Sequence, residues 1–174
     1  MYPELPQCKT MNNQEITAKY YKEAVQGLDE KTVQDNELWY TYVTNFPRHL
    51  QVIYTVIVFH NQVFNGGLHQ YFFNSFGQFA FLTIQNLKLV KAYKAVEILE
   101  QALKIVNIDN EGVDGFREKI YNRKLAHLVN FDDKVFSSLH DLDTKYYALE
   151  DNENLEQLLV EYLGATHGYF PPGI

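Results

Sequence analysis

The 174-residue sequence has one cysteine, Cys8, so no internal disulfide can hold the fold together. That thiol sits in a short proline-flanked arm, residues 1–12, where a mobile rather than a catalytic thiol is expected. Bases are scarce too: 15 Lys and Arg face 22 Asp and Glu, for a net charge of -7. A surface so biased repels phosphate backbones unless its bases are tightly clustered, which disfavours direct nucleic-acid binding. The opening Met1-Tyr2-Pro3-Glu4-Leu5-Pro6 has neither a basic leader nor an apolar stretch, so nothing marks export, and a cytoplasmic location without membrane contact is expected. None of the six His has a partner His four residues away or follows a Glu by three, and there is no Cys cluster. No metal, no cofactor and no catalytic residue is assigned.

What the sequence does have is apolar bulk. Hydrophobic residues make up 46% and aromatics 15%, led by 13 Tyr and 12 Phe, enough area to offset chain entropy in one domain over residues 13–174. The spacing of those residues follows 3.6 rather than 2, which predicts an all-α, compact, single-domain bundle of about eight helices. Asn13 is read as the cap of a first helix with Ile16, Tyr20, Ala24 and Leu28 on its stripe. A second, after Asp35 or Asn36, turns Leu38, Trp39, Tyr42, Val43 and Phe46 inward and stops at Pro47. Arg48 to Phe64 is rich in β-branched and aromatic residues, as a buried strand would be, but its length without a breaker decides for a central helix.

Beyond the central helix, short helices are predicted over Leu68 to Ser75 and Gln78 to Leu87. An amphipathic one follows, with Leu89, Ala92, Tyr93, Val96, Leu99, Leu103 and Val106 on its apolar face. Val113 to Leu128 reads as one helix, Asp132 as the cap of the next, and Leu142-Asp143 as its end before a further turn. The last helix opens at Asn152 or Asn154 and closes at Gly164.

Between the central helix and the next, Asn65-Gly66-Gly67 forms a breaker, because Gly reaches left-handed backbone without a Cβ clash. Gln70 and Asn74 stand at i and i+4, able to bond each other or nearby carbonyls. A buried polar network of Asn65, Gln70 and Asn74 would fix the corner. The segment Asn65-Gly66-Gly67-Leu68-His69-Gln70-Tyr71-Phe72-Phe73-Asn74-Ser75 resembles the signature of the bacterial DNA-mimic protein family, a domain long catalogued without a function. Asn65, Gly66, Gly67, Gln70, Tyr71, Phe72, Asn74 and Ser75 carry the match, while Leu68 replaces the usual aromatic; the likeness extends over about residues 48–162. The resemblance implies a helical fold and a non-enzymatic protein that occupies the DNA-binding surface of a transcriptional regulator.

The charge pattern supplies a surface for that role. Asp141, Asp143, Glu150, Asp151, Glu153, Glu156 and Glu161 face only Lys145, so seven acids against one base leave -6 in this stretch. These are the candidate partner-binding residues, and a basic protein partner is expected. In the alternative reading Asp143, Asp151 and Glu153 cap helix N-termini and the rest form a solvated face. Two other readings stay open: an immunity or antitoxin-like binder of a basic toxin, and a small enzyme using His60, Asn65 and His69 at the corner. The oligomeric state is also open, a homodimer included.

Overall fold

The structure, a computed structural model, describes residues 11–149 and 151–167. Cys8, most of the N-terminal arm and Glu150 lie outside the described residues. Ten α-helices and one 3₁₀ turn make up the described chain, eight of them longer than two turns. The all-α expectation is met, and two helices of five and four residues account for the excess over eight.

Helix α1 (Asn13–Val25) begins one residue earlier than the sequence suggested. Asn12 is the cap because Glu15 reaches back to it: Asn12 Oδ1 accepts from the Glu15 N–H at 2.8 Å, and Glu15 Oε2 accepts from the Asn12 N–H at 2.9 Å. The short α2 (Glu30–Gln34) precedes α3 (Asn36–Thr44), which Asp35 caps. Trp39 and Val43 of α3 face inward, but Leu38 is 48% exposed, because it falls beside the cap and away from that stripe.

Helix α4 (Arg48–Phe73) is the axis on which the others pack, touching α1, α3, α5, α8, α9 and α10. Covered on most sides, it has no use for a polar stripe, which is why its sequence looked like a buried strand. Val52, Ile53, Val56, Phe59 and Val63 are fully buried in the main core. On its other flank Leu50, Tyr54 and Val58 join Ala24, Trp39, Val43 and Phe79 in a second, aromatic cluster. There Trp39 Nε1 donates to Tyr54 Oη at 2.9 Å, and the Trp39 ring meets those of Phe76 and Phe79 edge-on at 5.1 and 5.2 Å.

After the 3₁₀ turn Phe76–Phe79 come α5 (Ala80–Leu89) and α6 (Tyr93–Val106). Leu89 and Tyr93 were expected on the apolar face and are 43% and 59% exposed. The chain turns between them at Lys91 (φ 64°), so the stripe read across both helices is broken. The helix expected over Val113 to Leu128 is likewise two, α7 (Val113–Tyr121) and α8 (Ala126–Val129), parted at Arg123 (φ 53°). Arg117 of α7 ties this region to α3: its guanidinium lies 3.4 Å over the Tyr40 ring and donates to Glu37 at 3.2 Å.

Helix α9 (Asp133–Tyr147) runs unbroken past Leu142-Asp143, where an end was expected. Helix α10 (Leu155–His167) starts after Asn154, whose Oδ1 accepts from the Gln157 N–H at 2.9 Å, and continues through Gly164 rather than closing there.

Candidate functional site

The Gly-Gly pair bends α4 sharply. Gly66 is extended (φ -166°, ψ 25°), and Gly67 has φ 76° and ψ 179°, a combination that strains any residue with a Cβ. A Cβ on Gly67 would also overlap Oδ2 of Asp143. After the kink a new helical segment starts, and its first amide needs an acceptor. Asp143, 75 positions along the chain, provides one from the middle of α9: its Oδ1 accepts from the Leu68 N–H at 2.7 Å. Asp143 is therefore a buried residue, 6% exposed, and not part of the outer acidic face. Burial pushes its carboxyl above the ordinary carboxylate range, and the Leu68 N–H, with His140 and His69 nearby, pulls partly the other way.

A second clasp closes the outer side of the bend. Gln70 Nε2 and Asn74 Nδ2 both donate to Oε1 of Gln62, at 3.1 and 3.2 Å, joining the segment after the kink to the turn before it. The buried network expected here is not what forms: Asn65 and Asn74 are exposed and Gln70 is half-buried, because the corner faces solvent on that side. Tyr71 and Phe72 are fully buried in the main core, and Tyr71 Oη lies 3.2 Å from Thr83 Oγ1. Ser75 takes left-handed backbone (φ 64°) and ends the segment.

The two histidines near the corner are not brought together as a pair. His60 Nδ1 is 3.1 Å from Tyr146 Oη, whereas His69 Nε2 is 3.0 Å from the Leu128 carbonyl and its ring stacks on Phe131 at 4.4 Å. A cleft of about 430 Å³ between α1, α4 and α10 includes His60 but neither Asn65 nor His69. Among the described residues no group of three His, Cys, Asp or Glu could hold a metal ion. No helix among them is long and apolar enough to cross a membrane.

The remaining acids divide by what they touch. Glu153 spends both oxygens on the start of α6, which has no side-chain cap of its own: Oε2 accepts from the Lys94 N–H at 2.9 Å and Oε1 from the Ala95 N–H at 2.8 Å. Glu156 lies half-buried in the cleft wall, 3.4 Å from Thr17 Oγ1. Asp141, Asp151 and Glu161 are exposed, Glu161 accepting from Gln157 on its own helix at 2.9 Å. Asp133, in the first turn of α9, is an exposed acid that sequence reading passed over because it follows the capping Asp132.

Residues 44–166, which include the Gly-Gly corner and both caps from α9 and the α9–α10 loop, match the family described as DMP19-like protein. The chain belongs to the DMP19-like protein family. No curated protein and no solved structure matches it. The matched stretch begins at the end of α3, so the DMP19-like region holds the main core except for Ile16, and α1 and α3 add Ala24, Trp39 and Val43 to the second cluster on one flank of α4.

Proposed function

We propose that this protein is a DNA mimic, a non-enzymatic binder whose exposed carboxylates occupy the DNA-binding surface of a basic transcriptional regulator. Membership of the DMP19-like family supports the reading. The observation that carries it is a set of exposed carboxylates in the C-terminal third that no ion pair compensates among the described residues, a state they share with Glu23, Glu30 and Glu97 elsewhere on the surface. Glu37, Glu100, Asp109, Glu111, Asp114 and Glu118 all lie in ion pairs with Lys or Arg. Asp133, Asp141, Asp151 and Glu161 are exposed and form no ion pair among the described residues. Uncompensated carboxylates, here on α9, α10 and the turn between them, present a negative field to a basic surface, steering encounter and favouring that surface over DNA. Asp133 and Asp141 lie about 12 Å apart along α9, from a rise of about 1.5 Å per residue.

The partner is a basic protein and not DNA. A pull-down from the source cell identifies it, and competition decides the mechanism: DNA and this protein should exclude each other from the partner, with affinity falling as salt rises. The triple variant Asp141→Asn, Asp151→Asn, Glu161→Gln should keep its fold and bind on the order of tenfold more weakly. Simultaneous occupancy by DNA, or undiminished binding by the variant, would reject the mimic reading.

A further inference from the structure

The cleft between α1, α4 and α10 is not explained by surface mimicry. Its wall holds Glu156, whose carboxylate accepts, among the described residues, only the 3.4 Å contact from Thr17 Oγ1, and no Lys or Arg is among the described lining residues. The neighbouring Glu153 has both oxygens occupied by the α6 amides, which leaves Glu156, among the described lining residues, as the carboxylate with accepting capacity. A half-buried carboxylate loses part of its hydration and is stabilised by a counter-ion. The rings of Tyr21, Phe64 and Tyr146 line the same space, with Leu159 adding an aliphatic wall. Aromatic faces carry negative potential and attract cations, while the aliphatic wall accepts an apolar stem.

We propose that this cleft binds an organic cation, a guanidinium or ammonium group on an apolar stem, with Glu156 as its counter-ion and Tyr21, Phe64 and Tyr146 around it. An anion would face Glu156 directly, and a neutral apolar ligand would strip water from that carboxylate without replacing it. The site goes beyond the mimic reading and does not rest on it, since Asp141, Asp151 and Glu161 lie outside the lining.

The test uses the full chain and benzamidine, with benzamide as its neutral isostere, followed by calorimetry and by amide NMR shifts around Glu156. Benzamidine should bind saturably, and benzamide about tenfold more weakly, as expected for a charge-assisted contact. Glu156→Gln should remove that preference while leaving the helical spectrum unchanged. The surface variant Asp141→Asn, Asp151→Asn, Glu161→Gln should bind benzamidine like the parent, so failure of the partner experiment and failure of this one are separable. Agmatine and the peptide N-acetyl-Gly-Arg-Gly-amide separate a free metabolite from a side chain presented by a protein, and saturable binding of either at Glu156 supports the site. The proposal is overturned if no cation binds below about 10 mM, if benzamide binds as well as benzamidine, or if Glu156→Gln makes no difference.

Discussion

Asp141 and Asp143 are two residues apart, as are Asp151 and Glu153, and in each pair the two acids have opposite fates. Asp141 and Asp151 face solvent, whereas Asp143 and Glu153 reach across the fold to cap helical segments 75 and 59 positions away. On α9 the cause is geometric, since two residues turn the helix by about 200° and place their side chains on opposite sides. A count of charge along the chain cannot separate the two kinds. One kind builds the fold and the other is left exposed, so substitutions should divide accordingly.

The largest effect is expected at the backbone that Asp143 serves. Gly67→Ala places a Cβ on left-handed backbone and against Asp143 Oδ2, so it should lower stability by about 2 kcal/mol or more. Gly66→Ala meets only the side chain of Gln70, whose flexible end can move, and should cost about 1 kcal/mol or less. Urea unfolding of both variants measures the order; an equal loss at the two positions would mean that the Asp143 contact does not govern the corner.

Removing the acceptor comes next. Asp143→Ala leaves the Leu68 N–H buried without a partner and should cost about 1 to 3 kcal/mol, while Asp143→Asn keeps a carbonyl oxygen and should cost less. The pH dependence has a definite sign. Because burial raises the carboxyl above its ordinary value, the folded state holds the proton more tightly than the unfolded chain does. The stabilisation that protonation brings is fully present below the unfolded value and is lost as pH rises through the folded one. Stability of the parent relative to Asp143→Asn should therefore increase on acidification through that window. A flat difference would place the carboxyl outside the buried contact.

Helix positions were legible wherever apolar spacing repeats and a Gly, Pro, Asp or Asn punctuates it, as at Asp35, Pro47, Gly66-Gly67 and Asp132. The break at Arg123 was not, and the one at Lys91 was placed too early, before Leu89, because each is a long polar residue in left-handed backbone, with neither Gly nor Pro to signal it. At the corner the glycines could be read and their partners could not. Gln62 and Asp143 meet the motif through tertiary contacts, and nothing in local spacing specifies an acceptor 75 residues away. Glu153 was legible as an acid with a capping role available to it, but not as the cap of α6, whose own N-terminal residue, Ala92, offers no side-chain acceptor.

The smallest effects sharpen the comparison most, because they set neighbours against each other. Glu153→Ala removes the acceptor from two amides at the start of α6 and should cost about 1 kcal/mol, within the usual range for a lost N-terminal cap. Glu153→Gln keeps one oxygen and loses the favourable charge near the helix N-terminus, so an intermediate loss is expected, about 0.3 to 1 kcal/mol. Asp151→Asn, two positions earlier and exposed, should change stability by less than about 0.5 kcal/mol. Amide exchange adds a positional readout: in Glu153→Ala the Lys94 and Ala95 amides should lose protection, while in Asp151→Asn they should exchange as in the parent. If Asp151→Asn destabilised the protein as much as Glu153→Ala, or if those two amides were indifferent to Glu153, the division between acids that cap and acids that face solvent would fail at its nearest pair.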